Sequence, residues 1–547
     1  MNQLSANRTE SDSPAGHAVW YWCIFLAILF VVIGIRIRLL GLPLERDEGE
    51  FALMGQMMLK GIPPYQEAYN LKFPGIYGAY AIILAVFGQS PVGVHLGLLV
   101  VSLLTTAFLF LLVRKLFDSS AAAVAAASFS VLSIHPPLLG FSAHATHFVI
   151  LFAVAGLYFL LCALERRSRP LLVGSGVLFG FAMLMKQPGI FFLCAGVTVL
   201  VMYSRKETKE LNRLIKQIGI FLAGFCLPLA VSAVWLALAG VFQRFWFWTV
   251  TYAVTYGKEN SLSTGIHDFF VRTPMIIGAA IFLWLLAALG MTSLWWNVRA
   301  RPHRAFSIVF LLASFAALSM GLYFRRHYYV LLLPFLATMI GIATASIAEQ
   351  LTSKLLSGKL VHSIVPAIFL LACLYSFYEQ RSVFFTLSTT DACRMMFGDN
   401  PFPESMDIGT KLHDMTSPGD RIAVVVSEPQ LYFYSHRLPA TGYLYTYSLM
   451  EQQPYALQMQ EEMIRQIESA MPRCIVYVSN SYSWQASPES NHHIFEWFNE
   501  FIRRGSYEIA GVVDISLSEP STQLWGDASQ GYNFTSPNYI VVFRRRM

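Results

Sequence analysis

Charged residues are scarce in this chain. They make up 13% of its 547 residues, whereas hydrophobic residues make up 55%. Soluble domains carry roughly 25% charged residues, so the shortage excludes a soluble globular protein and indicates that lipid surrounds most of the chain. The net charge of +6 comes mostly from loop lysines and arginines, which in a membrane protein report orientation. No nucleic-acid partner is expected.

Cysteines and glycine-rich motifs are also sparse. The seven cysteines are scattered, with no spacing typical of a metal site. Cys393 and Cys474 lie in the polar C-terminal part, where a disulfide can form if that part is exported. This part has no G-x-G-x-x-G loop, so no nucleotide cofactor is expected. The chain shows no repeat of solenoid length, which weakens a repeat-built architecture.

Hydrophobic residues are concentrated in eleven apolar segments. Crossing about 30 Å of hydrocarbon takes about 20 helical residues at 1.5 Å each, and several segments reach that length. Together they predict an all-α polytopic membrane domain over residues 1–379. The segments are 18–40, 91–113, 119–140, 147–164, 170–185, 188–203, 217–240, 273–295, 305–322, 328–348 and 360–378.

One further apolar stretch, Phe73 to Phe87, is interrupted by Pro74, Gly75 and Gly78. It suits a re-entrant or interfacial helix better than a span. With a cytoplasmic N-terminus, the inner loops then hold fifteen Lys or Arg in forty-three residues, against nine in about ninety-five outer residues. Counting the stretch as a span would reverse this positive-inside bias. We therefore expect a multi-pass inner (plasma) membrane protein with a cytoplasmic N-terminus.

Residues 380–547 are more polar, and an odd number of spans places them outside. Ser417-Pro-Gly-Asp420 is typical of a turn, Arg421 to Ser427 of a buried strand, and Glu451 to Ala470 of an amphipathic helix. Further strands are expected at 474–479, 507–515 and 539–543. This part predicts a small extracytoplasmic α/β domain, expected to act as a lid or to dock an acceptor without chemistry of its own.

The first outer loop, residues 41–90, contains four carboxylates and an arginine within Glu45-Arg-Asp-Glu-Gly-Glu50. The apolar run after it, Phe51 to Leu59, indicates an interfacial helix. Asp47 and Glu48 then lie at the N-terminus of this helix, where the helix dipole favours anions. A merely solvated acidic loop is the alternative reading.

Three motifs in this loop, Arg46-Asp-Glu-Gly-Glu-Phe-Ala52, Gly61-Ile-Pro-Pro-Tyr65 and Lys72-Phe-Pro-Gly-Ile-Tyr77, resemble glycosyltransferase family 39. That family includes protein O-mannosyltransferases and lipid A aminoarabinose transferases, and it has the GT-C membrane fold. The resemblance implies that Asp47 acts on the acceptor and that Lys72 meets the phosphate of a lipid donor. Glu48 would be a metal ligand or would orient the catalytic group.

The segment Phe141-Ser-Ala-His-Ala-Thr-His-Phe148 places His144 and His147 at the outer surface. Members of the family usually have a second acidic residue here, so a carboxylate role is not carried over. Two histidines three residues apart share a helix face and can bind a divalent metal with Asp47 or Glu48. Interfacial hydrogen bonding without a metal stays open as the alternative.

Three more cations are candidates for the donor phosphate. Lys186 interrupts the apolar sequence between two spans at the outer surface, although a snorkelling lysine would also lie there. Arg325 and Arg326 break the positive-inside trend at another outer end. Either arginine suits a phosphate through forked hydrogen bonds, while interfacial anchoring is the simpler role.

These features predict transfer of a hexose or pentose from a polyprenyl-phosphate donor to an acceptor hydroxyl outside the membrane, with Asp47 as base. The acceptor would be an envelope glycan, lipid or protein. A transporter or flippase of lipid-linked sugar is the alternative, but its ionisable residues should lie deep in the spans. A degenerate relative that only binds lipid carriers is a second alternative, because the second acid is missing.

Overall fold

The computed structural model describes residues 15–207, 210–354, 358–517 and 520–546. Its described residues up to Glu379 form sixteen α-helices. These are α1 Ala15–Arg38, α2 Arg46–Leu59, α3 Pro74–Phe87, α4 Pro91–Leu116, α5 Ser119–Leu132, α6 Ala145–Arg166, α7 Arg169–Met185, α8 Gly189–Glu207, α9 Leu211–Leu238, α10 Phe242–Trp246, α11 Ala253–Tyr256, α12 Leu262–Gly278, α13 Ile281–Trp296, α14 Arg304–Ser319, α15 Leu333–Lys354 and α16 Gly358–Glu379.

Six helical segments among the described residues are long and apolar enough to cross a membrane, namely those that contain α1, α4, α6, α9, α14 and α15. The pair α12 and α13 passes the same test together but bends by 105° at its break. Shorter apolar helices are α3, α5, α7, α8 and the apolar part of α16. The eleven predicted segments are mainly helical, but segment 273–295 contains the break between α12 and α13, and α5 covers only the first part of segment 119–140. The number of true spans stays a prediction. So does the non-spanning role of α3, because its 14 residues equal the length of α5.

Small side chains let the central helices pack closely. The α5 helix is rich in alanine and is buried from Ala121 to Leu132. Where α15 crosses it, a Cβ added to Gly341 would lie 2.4 Å from the Ala121 carbonyl oxygen. Close backbone approach of this kind is how membrane helices associate without a hydrophobic driving force. This close packing fixes the ends of α5, α6 and α15 that adjoin the candidate site.

The C-terminal part folds around a six-stranded mixed sheet in the order β2-β1-β3-β6-β4-β5. The β1, β2 and β3 strands run parallel, and the other pairs are antiparallel. The strands are β1 Arg421–Val424, β2 Leu438–Pro439, β3 Cys474–Ser479, β4 Tyr507–Asp514, β5 Thr522–Trp525 and β6 Tyr539–Arg545. Its helices are α17 Thr389–Phe397, α18 Phe402–Asp414, α19 Gln430–Ser435, α20 Tyr447–Met450, α21 Ala456–Ala470, α22 Ser481–Trp484 and α23 His493–Arg503.

The predicted strands and the amphipathic helix of this part are confirmed, which confirms the α/β fold. The β2 and β5 strands had no prediction, because strands of two and four residues carry too little periodicity to be recognised. Cys393 and Cys474 are both buried and free. The two cysteines that could have formed a disulfide are therefore core residues of α17 and β3.

The C-terminal part packs directly on α2 through α19 and the segment that precedes it. Arg46 at the start of α2 donates to the carboxylate of Glu428, with 2.5 Å between Arg46 Nη2 and Glu428 Oε1, and Glu428 is fully buried. Next to this pair, Gly49 faces α19, and an added Cβ would lie 2.6 Å from the Gln430 backbone nitrogen. The first outer loop adds a backbone bond, since Tyr69 N donates to Gly442 O at 3.0 Å. A charge pair and a close backbone approach thus hold the two parts together.

The close approach gives a prediction for Gly49→Ala. The added methyl has no room against α19, so we expect a loss of about 1–3 kcal/mol, as for other overpacked contacts, and a lower thermal unfolding temperature in detergent. Gly78→Ala on α3 is the matched control, because its Cβ would meet only Met58 Cε at 3.9 Å. Equal unfolding temperatures for both variants would show that this contact does not hold the two parts together.

Candidate functional site

The acidic start of α2 is folded into a capping box. Glu45 is the N-cap, its side chain accepts from Glu48 N, and the Glu48 side chain accepts from Glu45 N. Glu48 Oε1 also accepts from Ala143 N at 2.6 Å and lies 3.1 Å from His95 Nε2. His95 Nδ1 donates to the Leu40 carbonyl. Both oxygens of the Glu48 carboxylate therefore have partners inside the protein. Glu48 does not line the cavity described below.

Asp47, by contrast, faces a cavity and is surrounded by donors. Tyr445 donates its hydroxyl to Asp47 Oδ1 at 3.1 Å. The other oxygen, Oδ2, lies 3.8 Å from Lys72 Nζ and 3.6 Å from His144 Nδ1. Burial acts to raise the pKa of Asp47, but Lys72 and His144 outweigh burial and hold this pKa well below its usual range. Asp47 is thus ionised at neutral pH.

Two of the neighbouring acids, Glu45 and Glu50, have raised pKa values instead. Burial raises the pKa of Glu45 to about 7 and the pKa of Glu50 to about 8. Glu50 is fully buried, and its Oε1 accepts from the Tyr77 hydroxyl at 2.8 Å. Among the acids of this turn, only Asp47 lines the cavity, so one ionised carboxylate is presented to it.

Two imidazoles complete this side of the site. His144 and His327 stack with their ring centroids 4.0 Å apart. One ligand atom each from Asp47, His144 and His327 lies within 4.8 Å of the others. Both ring nitrogens of His144 are buried without a hydrogen-bond partner among the described residues. One carboxylate and two imidazoles form a donor set that suits a divalent transition metal, and the unpartnered nitrogens fit such an ion.

His147, predicted as the second histidine ligand, is not part of this group. His144 is the N-cap of α6, and His147 lies inside the helix with its Nε2 buried and unpartnered. The second imidazole comes instead from His327, which lies 183 positions after His144 in the sequence. No spacing rule connects such distant residues, so His327 could not be recognised as a ligand from its position beside Arg325 and Arg326.

Three basic side chains, Lys72, Lys186 and Arg325, line the same cavity as Asp47. Lys72 and Lys186 approach it from two loops, and Lys186 Nζ lies 3.9 Å from the ring centre of Tyr328. Burial and the nearby Lys72 lower the pKa of Lys186 well below its usual range. Arg325 donates to the Tyr256 hydroxyl at 3.0 Å and lies over the ring of Tyr323.

Arg326 points away from this cavity. Its guanidinium donates to the carbonyls of Pro136, Pro137 and Met396 at 2.7–2.9 Å. These bonds tie the start of the Arg326–Leu332 turn to the loop after α5 and to α17. Two adjacent arginines that looked equivalent in the sequence thus have different surroundings, and only Arg325 reaches the cavity.

The cavity itself has a volume of about 120 Å³ and an aromatic lining. The membrane part and the C-terminal part both contribute rings, which are Tyr69, Trp248, Tyr252, Tyr256, Tyr323, Tyr328, Tyr443, Tyr445 and Tyr447. Glu451 lies at its edge and accepts from the Tyr252 hydroxyl. Burial raises the pKa of Glu451 to about 7. The alternation Tyr443-x-Tyr445-x-Tyr447 was a signal in the sequence for this wall, but it was not recognised.

The raised pKa of Glu50 predicts a pH-dependent effect of Glu50→Gln. Between pH 4.5 and 8 the unfolded chain has an ionised Glu50 while the folded chain keeps it protonated, so wild-type stability falls as pH rises through this window. Glutamine removes that dependence. We expect the unfolding temperature of Glu50→Gln, relative to wild type, to increase from pH 5 to pH 8. The exposed Glu379→Gln is the control, and parallel pH profiles for wild type and Glu50→Gln would contradict the prediction.

Comparison with known proteins finds one family that matches part of the chain. Residues 74–237 match the family described as dolichyl-phosphate-mannose-protein mannosyltransferase. No curated protein sequence matches the chain significantly.

Solved structures share the fold over nearly the whole chain. ArnT from Cupriavidus metallidurans, bound to undecaprenyl phosphate, has a TM-score of 0.60 and 15% identity, covering 97% of this chain and 98% of its own. The oligosaccharyltransferase AglB from Archaeoglobus fulgidus, in complex with an inhibitory peptide and a dolichol-phosphate, has a TM-score of 0.54 and 12% identity, covering 93% and 74%. The Archaeoglobus enzyme in complex with Zn and sulfate has a TM-score of 0.53 and 12% identity, covering 91% and 72%. The chain is therefore a membrane protein with the GT-C glycosyltransferase fold, similar over residues 74–237 to the dolichyl-phosphate-mannose-protein mannosyltransferases.

Proposed function

We propose that this protein transfers a sugar from a polyprenyl-phosphate donor to an acceptor hydroxyl, with Asp47 as the general base. The observation that carries the proposal is that an ionised carboxylate, Asp47, and three basic side chains line a single aromatic cavity. The similar ArnT and AglB structures hold undecaprenyl phosphate and dolichol-phosphate, which supports a lipid phosphate as the donor's carrier.

Lys72, Lys186 and Arg325 would hold the donor phosphate. As the sugar leaves, negative charge develops on the phosphate oxygens, and fixed cations in a site closed to water stabilise it. The low pKa of Lys186 has its cause in burial and in Lys72, so an arriving phosphate would offset both and favour the charged lysine. We no longer place Arg326 on the phosphate, because three carbonyl groups occupy its guanidinium.

Asp47 would take the proton of the acceptor hydroxyl while the hydroxyl oxygen bonds to the sugar's anomeric carbon. The bond from that carbon to the phosphate oxygen breaks, and polyprenyl phosphate leaves with the bonding electrons. Inversion at the anomeric carbon is expected from the family resemblance. Tyr445 on Oδ1 and Lys72 near Oδ2 would hold the carboxylate in one orientation, and positioning of this kind carries much of the catalytic effect.

A divalent ion is a further part of the proposal. Asp47, His144 and His327 would hold it, whereas Glu48 and His147, the ligands expected first, lie outside this set. When bound, such an ion would polarise the acceptor oxygen or stabilise developing charge. The similar Archaeoglobus structure contains Zn, which supports the choice of ion class.

Topology and substrate range also belong to the proposal. The N-terminus would be cytoplasmic, residues 1–379 would form the membrane domain, and residues 380–547 an extracytoplasmic domain that closes the site. The acceptor would be a lipid, glycan or protein, and the sugar a hexose or pentose. The cavity's charged residues lie together at one end of the helices, which favours surface chemistry over transport of lipid-linked sugar.

Replacing Asp47 tests the base directly. In vesicles supplied with radiolabelled polyprenyl-phosphate sugars and extracted envelope acceptors, we expect Asp47→Asn to reduce transfer by at least about 100-fold, the range of a general base. Asp407→Asn, an exposed position on α18, should match wild type. Equal labelling by Asp47→Asn would remove Asp47 from the mechanism, and label that only crosses the bilayer would indicate a transporter.

The proposed divalent ion is tested by chelation. Undiminished transfer by wild type in excess chelator would exclude the ion.

Substitutions of Arg325 and Arg326 should have different effects, one on donor binding and the other on the stability of the fold. Arg325→Gln removes a charged hydrogen-bond donor worth about 1.5–3 kcal/mol, so we expect the donor KM to rise about tenfold or more with little change in unfolding temperature. Arg326→Gln should lower the unfolding temperature instead and leave the donor KM of the folded protein near wild type. The reverse pattern would transfer the phosphate role to Arg326.

A further inference from the structure

A second polar cavity lies at the other end of the helices. It has a volume of about 170 Å³ and forms where α6 ends and where α7 and α9 begin. Its polar lining consists of Arg167, Ser168, Arg169, Arg213, Lys216 and Gln217. None of the described lining residues is a carboxylate, so the cavity is strongly cationic.

Two helices, α6 and α7, run from the candidate site to this cavity, so their length gives the distance between the two sites. The α6 helix starts next to His144 and reaches the second cavity after 22 residues, which corresponds to about 33 Å. The α7 helix starts at Arg169 in the cavity and ends just before Lys186. This distance matches the thickness of the hydrocarbon layer. The second cavity therefore lies at the opposite membrane surface from Asp47.

Ion pairing distinguishes this cavity from other basic groups on the same surface. There, Lys115 pairs with Glu165 and Arg299 pairs with Asp118. Arg169, Arg213 and Lys216, in contrast, form no ion pair with any described residue. In addition, the amide oxygen of Gln217 is buried without a hydrogen-bond partner within the described part of the chain. At Arg169, Arg213 and Lys216 the cavity thus offers positive charge that no described carboxylate pairs with, and Gln217 offers an acceptor for a headgroup hydroxyl.

Another face of α9, which does not line the cavity, is apolar and exposed. Leu211 and Ile215 have 63% and 58% of their surface exposed. One turn further along α9, Gly219 leaves open space, since an added Cβ would meet no atom within 4 Å. In a bilayer this face contacts acyl chains, so the cavity at the start of α9 lies at the level of the lipid headgroups.

We propose that this cavity binds the headgroup of an anionic membrane phospholipid. Arginine guanidinium groups bind phosphate through forked hydrogen bonds, and basic pockets between membrane helices are suited to anionic headgroups. The phosphate would lie between Arg169, Arg213 and Lys216, with the acyl chains along α9. The site is separate from the proposed transferase site and does not depend on its activity.

The test is lipid binding by the purified full-length protein, measured by native mass spectrometry with phosphatidylglycerol and phosphatidylcholine. Wild type should retain phosphatidylglycerol in preference to phosphatidylcholine. The variant Arg169→Gln, Arg213→Gln, Lys216→Gln should bind phosphatidylglycerol at least about tenfold more weakly, by loss of charged hydrogen bonds. A control with three exposed basic residues changed on the same surface, Arg114→Gln, Arg301→Gln and Arg304→Gln, should bind as wild type does.

Other outcomes would overturn the proposal. Equal weakening in both triple variants would mean diffuse attraction to the basic surface, and no preference for phosphatidylglycerol would mean no headgroup site. Full competition by inorganic phosphate at equal concentration would indicate a site for soluble phosphate. If the glutamine triple does not fold, Arg169→Lys with Arg213→Lys keeps the charge but loses the forked bonds, and unchanged affinity there would also overturn the proposal.

Discussion

Four carboxylates lie within six residues at the buried start of α2, and like charges this close cannot all be ionised. The protein gives each a different environment. Glu45 and Glu50 have pKa values raised by burial, and Glu48 is bonded to His95 and a backbone N–H. Asp47 alone keeps its charge in the cavity, because Lys72 and His144 lie beside it. The result is one reactive anion in a cluster that is otherwise neutral or paired.

The same turn also decides where the C-terminal sheet lies. Arg46 precedes Asp47 and is paired with the buried Glu428, so the residue next to the proposed base anchors the second half of the chain. From that half, Tyr445 reaches back to Asp47. The expectation that this part has no chemistry of its own stays a prediction, although Tyr445 contacts the proposed base. Its position over α2 makes it part of the wall of the site.

The fold and one edge of the site could be predicted from the sequence, because they depend on local patterns. The apolar segments predicted the long helices. Asp47 and Lys72 lie in one loop whose motifs could be recognised. Contacts between distant positions could not be predicted. Tyr445 is 398 positions from Asp47, and the partner of His144 is not His147, because α6 starts directly after His144 and carries His147 into the helix. Spacing alone also cannot separate adjacent arginines that point in opposite directions.

The aromatic wall has a consequence for the fate of the donor. Water is itself a hydroxyl compound, and in an open site it would compete with the acceptor for the sugar of a lipid-linked donor. Here tyrosines from the loop between α2 and α3 and from the C-terminal part meet directly, with the rings of Tyr69 and Tyr443 5.2 Å apart, and both rings line the cavity. Aromatic walls that exclude water from a site suppress side reactions such as hydrolysis. In the proposed transferase, the C-terminal part would thus decide how much donor is lost to hydrolysis and how much reaches the acceptor.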